Sequence, residues 1–249
     1  MCKKICLDAG HYGSKYNRSP VAPAYYESEA MWKLHLLLKK ELEAFGFEVI
    51  TTRDDQAKNP DLAARGKTAK GCDLFLSLHS NACNTESVDR VVGIYQVPDA
   101  DTTHDEKSKP IADLLAAEVA RVMGTKDAPQ TYSRLADTDK DGDGKKDDNY
   151  YGVLNGADAV GAPGVLLEHS FHTNTRAAKW LLDDNNLAKL AKAEAEALAA
   201  HFGMQKKDTG IRYRVQVGSF ANKAYAEAML KKLKAAGFEG YITTYQKES

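Results

Sequence analysis

No stretch of this chain approaches the ~18 consecutive apolar residues that a membrane-spanning helix needs, and the sequence predicts no such span. An export signal is not visible either. Met1, Lys3 and Lys4 lead straight into a segment starting at Ile5, with no apolar h-region and no small-residue cleavage site. Cysteine is scarce. Cys2, Cys6, Cys72 and Cys83 form no CxxC pair, which excludes a disulfide framework or zinc knuckle and leaves reduced or buried thiols. An excess of charge of one sign is also lacking: 34 basic and 35 acidic side chains leave a formal net charge of −1, with no electrostatic footprint for duplex nucleic acid. What the 249 residues do have is an ordinary globular balance, 43% hydrophobic against 28% charged, enough apolar surface to offset chain entropy. The length allows one large domain, or one domain with a small appendage.

Strand and helix patterns alternate through the first 204 residues. The segment "KKICLDA" ends before Gly10 and predicts a buried strand, followed by a polar loop from Tyr12 to Pro23. A helix runs from about Tyr26 to Phe45 and is closed by Gly46. "FEVITTR" predicts a second strand, "NPDLAARGKTAKG" a short helix, "DLFLSLHS" a third and almost wholly apolar strand, and "VVGIYQV" a fourth. Lys109–Met123 carries a helical apolar stripe at Ile111, Leu114, Leu115, Val119 and Val122. "PGVLLEHSF" predicts the last long strand, and "TRAAKWLLDD" and "NLAKLAKAEAEALAAHF" two closing helices. Near-continuous apolar strands between helices predict an α/β fold, a mainly parallel twisted sheet covered by helices on both faces. Residues 205–211 are polar and unpatterned, a linker. Residues 212–249 then predict a small C-terminal strand–helix–strand unit, below the size that usually folds alone.

Three polar residues fall at the carboxyl ends of predicted core strands: His11 after "ICLDAG", His79 after "DLFLSL" and Glu168 after "GVLL". Sites in open α/β sheets lie beyond those ends. Imidazole and carboxylate together suit zinc, and a catalytic zinc takes three protein ligands with one position open. If Glu168 is kept free as a base, a third ligand is needed, and the helix from Tyr26 offers Glu27 and Glu29. Glu27 shares one stripe with Met31, Leu34, Leu38 and Leu42, whereas Glu29 lies about 200° further round. Glu27 therefore sits on the core-facing side. Helix N-terminal capping explains an acid at that place, but not its buried phase.

The segments "LDAGHYG", "YYESEAMWKL", "LSLHSNA" and "LLEHSFHTN" together resemble the four signatures of the zinc-dependent N-acetylmuramoyl-L-alanine amidases, over about residues 3–203. The resemblance implies that His11, Glu27 and His79 hold zinc and that Glu168 is the catalytic acid/base. It implies hydrolysis of the amide between the lactyl group of N-acetylmuramic acid and L-alanine in bacterial peptidoglycan. The chain departs from the family pattern at Ala9, where Pro is usual, at Met31, where Asn is frequent, and at Ser170, where Gly is frequent. None of these removes a proposed ligand. Asn81 is placed to orient a ligand or substrate, Arg65 to anchor a loop or carboxylate, and His169 and His172 flank the proposed base. For these four a plain structural role is at least as good an explanation.

Two further features stand outside that core. Counting Asp137 as position 1, Asp139, Asp141, Gly142 and Asp148 fall at positions 3, 5, 6 and 12 of a calcium loop of the EF-hand kind, with Asp for the usual final Glu. The Asp137–Asp148 segment is thus a candidate Ca²⁺ site, or a solvated acidic loop. The run from Tyr213 to Tyr245 resembles the first half of a SPOR domain, a peptidoglycan-binding module. Half a module leaves a sheet edge and an apolar helix face uncovered; it is a truncated remnant, docks on the catalytic domain or pairs with another copy, and pairing predicts a homodimer through this unit. The rival readings are a zinc peptidase acting on another cell-wall amide and a catalytically inactive peptidoglycan-binding protein. With no visible signal, the expectation is an enzyme that reaches the bacterial cell wall after release or export, as a phage or prophage endolysin does.

Overall fold

The computed structural model describes residues 3–98, 105–140, 142, 144–206 and 215–245. The chain divides into two compact units, Met1–Lys207 and Asp208–Ser249.

The first unit is built on a six-stranded sheet. In chain order its elements are β1 (Lys4–Ala9), α1 (Glu27–Ala44), β2 (Glu48–Thr51), α2 (Leu62–Lys67), β3 (Leu74–Asn81), β4 (Val92–Tyr95), α3 (Asp105–Met123), β5 (Gln130–Tyr132), α4 (Gly152–Asp158), β6 (Gly164–Phe171), α5 (Thr175–Leu181) and α6 (Asp184–Phe202). The strand order is β2-β1-β3-β6-β4-β5. β2, β1, β3 and β6 run parallel to one another, and β4 pairs antiparallel with β6 and parallel with β5. The sheet is therefore mostly parallel with one reversal.

Alternation along β1 assigns the two faces. Ile5 and Leu7 enter one core with Leu34 and Leu38 of α1, Leu76, Leu78, Val165, Leu167, and the apolar sides of α3 and α6. Cys6 enters the other with Phe75, Leu166 and the buried Val153, Leu154 and Ala157 of α4. On that second face α2 and α4 cross at backbone contact. A Cβ at Gly66 would lie 2.1 Å from the Val153 carbonyl oxygen, and one at Gly156 would lie 2.1 Å from that of Ala63. Burial pushes the Cys6 thiol well up and that of Cys72 up to about 11, so both behave as apolar filling.

The second unit contributes α7 (Lys223–Ala235), capped by the Asn222 side chain on the Ala224 amide. No residue of α7 is buried, and Val215, Val217, Phe238 and Tyr241 are exposed. The flanking segments expected as strands carry no sheet pairing among the described residues. This corrects the strand–helix–strand expectation. A strand is stabilised by a hydrogen-bonded neighbour and a covered face, and the described residues of this unit show neither. Among the described residues no helix is long and apolar enough to cross a membrane.

Candidate metal centre

The sheet brings three sequence-distant segments to one end. Ala9 of β1 is in register with Leu78 of β3, and His79 with Glu168 of β6. Beyond β1 the chain turns sharply: Gly10 N donates to Leu78 O at 2.8 Å, and a Cβ on Gly10 would meet the His79 ring at 2.6 Å. His11 follows with φ +57°, a conformation costly for a residue with a Cβ. Arg53, just after β2, holds this turn by donating Nη1 to Ala9 O at 2.7 Å and Nη2 to His11 O.

Glu27, the first residue of α1, reaches across the strand ends. Its Oε1 lies 2.9 Å from His79 Nδ1 and its Oε2 lies 3.2 Å from His11 Nε2. The two imidazoles stand 5.2 Å apart at 79°. All three donor atoms lie within 4.8 Å of one another. Tetrahedral bonds of about 2.0–2.1 Å place donor atoms roughly 3.3 Å apart, so the set fits a small divalent cation. The exposures fit too: the Glu27 side chain is 2% exposed, against 27% for His11 and 14% for His79, which leaves the imidazole side open. Burial alone would raise the Glu27 carboxyl, but the hydrogen bonds and charges of His11 and His79 outweigh it and hold it well below the usual range.

Glu168 differs in every respect. It is partly exposed as a residue, yet its Oε2 is buried and has no hydrogen-bond partner among the described residues. Burial, and then the charge of Glu27, push its carboxyl well above the ordinary range. Two carboxylates of opposite tendency at one site suit a cation ligand and a proton carrier.

The other sequence candidates separate. His172 is buried behind Glu27, its Nδ1 2.8 Å from Ser80 O, 3.0 Å from Ser80 Oγ and 3.9 Å from Glu27 Oε2. Burial lowers its pKa against the pull of Glu27. Its partner Ser80 also bonds the Tyr25 hydroxyl at 2.7 Å, so His172 belongs to a supporting network. The Asn81 side chain accepts from the adjacent Ala82 amide. Arg65 is buried against Asp8, with bonds of 2.8 and 2.6 Å, and anchors the carboxyl end of β1. In the acidic loop, Asp141 and Asp143 lie outside the described residues. Asp139 accepts from the Gly142 and Gly144 amides and Asp148 from that of Lys140, so backbone donors engage these carboxylates.

Sequence reasoning missed Asn17. Its Nδ2 lies 2.9 Å from His11 Nε2 and donates to Glu27 Oε2 at 2.8 Å, while its carbonyl accepts from Glu27 N. The only sequence signal was an Asn in a polar loop, a residue tolerant of the positive φ (+52°) it adopts. The neighbouring Tyr16 stacks on His11 at 5.1 Å.

Known proteins share this arrangement of fold. Over 242 residues, 96% of this chain and 84% of the relative, the sequence is 26% identical to the N-acetylmuramoyl-L-alanine amidase CwlM of Bacillus licheniformis. Its fold is similar to that of an N-acetylmuramoyl-L-alanine amidase from Clostridium difficile 630, with TM-score 0.64, 18% identity and coverage of 81% of this chain and 97% of that one. It is likewise similar to Cwp6 from Clostridium difficile, with TM-score 0.65 and 22% identity, covering 80% of this chain and 29% of that one. The SPOR domain profile matches residues 209–249. The N-acetylmuramoyl-L-alanine amidase profile matches residues 5–200, and the chain belongs to that family of cell-wall hydrolases.

Proposed function

We propose that His11, Glu27 and His79 hold a zinc ion and that Glu168 carries the proton in hydrolysis of the amide joining the N-acetylmuramic acid lactyl group to L-alanine. The observation that carries this reading is the pairing of a charged, histidine-bracketed Glu27 with the unpartnered Glu168 oxygen on the next strand. A bound zinc supplies Lewis acidity that acidifies water and polarises a carbonyl oxygen. Glu168 takes the proton released as a water oxygen adds to the amide carbon. It then delivers that proton to the amide nitrogen, so that the C–N bond breaks and L-alanine leaves with a free amino terminus. A carboxyl with a raised pKa is suited to that transfer. Asn17 and Ser80 N hold the two Glu27 oxygens in place.

Digestion of purified sacculi tests this reading. New L-alanine amino termini are expected without new reducing sugars, and a zinc chelator is expected to abolish them. Reducing ends, or chelator-insensitive release, would overturn it.

Peptidoglycan is also the partner of the C-terminal unit. Its exposed Val215, Val217, Phe238 and Tyr241, and a helix without a buried residue, support pairing of two copies. Sedimentation is expected to give a dimer for the full chain and a monomer for a chain ending at residue 204. A monomeric full chain would dismiss pairing.

A further inference from the structure

Behind the site lies an ionisable pair that the proposed reaction does not use. His169 of β6 and Glu194 of α6 are both 0% exposed, with His169 Nε2 3.0 Å from Glu194 Oε1. The second Glu194 oxygen is buried without a partner among the described residues. Buried ionisable pairs cost desolvation and are weak sources of stability, so their placement calls for another account. The outward bond of this pair supplies one. His169 Nδ1 lies 2.9 Å from the carbonyl oxygen of His79.

The geometry at that carbonyl is unusual. The β3–β6 register shifts between His79 and Asn81: His79 faces Glu168, but Asn81 faces Phe171. Two residues, His169 and Ser170, thus oppose Ser80, and Ser170 has φ +59°. Its hydroxyl is tied at 2.8 Å to Asp89, which Arg176 clamps. At this bulge one planar peptide group is held from both ends. Its C=O is His79 O, bonded by His169. Its N–H is Ser80 N, which donates to Glu27 Oε1 at 3.0 Å. A hydrogen-bonded line therefore runs from Glu194 through His169 and the His79–Ser80 peptide to the carboxylate of Glu27. The same peptide also carries the Cα of His79.

We infer that His169, backed by Glu194, is a positioning residue for the metal centre, fixing the His79–Ser80 peptide plane and through it both His79 and Glu27. This rests on the reading that His11, Glu27 and His79 hold zinc. Nδ1 donates to the His79 carbonyl while Nε2 faces Glu194, so both ring nitrogens of His169 are engaged and the plane of the ring is fixed against the peptide.

Two substitutions separate the two bonds of His169. Glutamine reaches the Nε2 position and keeps Glu194 paired but does not supply the donor to His79 O. Asparagine supplies that donor and leaves Glu194 unpaired. Zinc is titrated into the full chain against a chromogenic chelator, with thermal unfolding of the metal-free protein measured in parallel. His169→Gln is expected to weaken zinc binding at least tenfold, the scale for loss of a group orienting a ligand, with little change in unfolding temperature. His169→Asn is expected to unfold at lower temperature yet bind zinc within about threefold of the parent. If His169→Gln does not fold cooperatively, His169→Leu/Glu194→Leu takes its place, because replacing both members of a buried pair by apolar groups is often neutral or stabilising. The same tenfold loss is expected. A folded His169→Gln or double variant that binds zinc as tightly as the parent overturns the proposal. A parent that binds no zinc overturns the metal reading itself.

Discussion

Glu168→Gln is expected to lower peptidoglycan turnover about a thousandfold, the scale for loss of a general acid–base group, while zinc content stays at the parent's level. Glutamine preserves the shape of the side chain and its place opposite His79 in the sheet, but it cannot accept and return a proton. Turnover numbers and metal analysis of the same preparations check both halves. Loss of zinc together with activity would reassign Glu168 as a ligand. The variant also has a signature in stability. Burial raises the Glu168 pKa in the folded protein, so the unfolded chain ionises first and folding becomes less favourable as pH rises from the ordinary carboxylate range through the raised value. Metal-free Glu168→Gln lacks that loss. It is expected to match the parent in acid and to unfold at a higher temperature than the parent near neutrality.

The largest effect on stability is expected from Asp8→Asn. Asp8 is fully buried and receives Arg65 through two bonds, with Ser77 and Thr52 each at 2.6 Å. Burial works to raise its carboxyl, but the charge and hydrogen bonds of Arg65, Ser77 and Thr52 win and hold it below the usual value. Asparagine would leave a buried guanidinium without its counter-charge, and breaking such a pair costs about 3–5 kcal/mol. In a domain of this size that lowers the unfolding temperature by roughly 6–20 °C. The pH dependence has the opposite sign to that of Glu168. The depressed Asp8 pKa gives stability that is present above the ordinary carboxylate range and is lost as pH falls through the folded value. Asp8→Asn should therefore show a shallower decline in acid than the parent. An unfolding temperature unchanged by the substitution would show that Arg65 finds another partner.

Much of the site was legible because the residues concerned sit in strongly patterned segments. The apolar runs of β1, β3 and β6 pointed to the carboxyl-terminal parts of three strands, and hence to His11, His79 and Glu168, although His79 and Glu168 lie within β3 and β6 and the ladder continues past them. The stripe of α1 chose the phase of Glu27, which is 1% exposed while Glu29 is only partly buried. What escaped lacks periodicity. β5 is three residues long and α4 spans only Gly152–Asp158, with two glycines lowering its helix propensity. The apolar stripe read over Lys109–Met123 catches only part of α3, because the helix begins four residues earlier, at Asp105, in a polar stretch, and carries Pro110 inside it. The reversal of β4 against β6 is a tertiary choice that no local pattern encodes. Asn17 and Arg53 act through a few hydrogen bonds each, from a loop and from just past a strand end, and such bonds leave no trace in composition.

The placement of the proposed metal and proton-carrying groups on or just beyond adjacent parallel strands has a consequence for how this chain can diverge. Neighbouring strands are spaced about 4.8 Å apart by their own ladder, so the scaffold under His11, His79 and Glu168 is gauged by backbone pairing and not by side-chain choice. The surrounding loops bear no part of that gauge. Substitutions in those loops can accumulate at the rim while the spacing beneath persists, and wall preference can drift across lineages on an unchanging chemical floor.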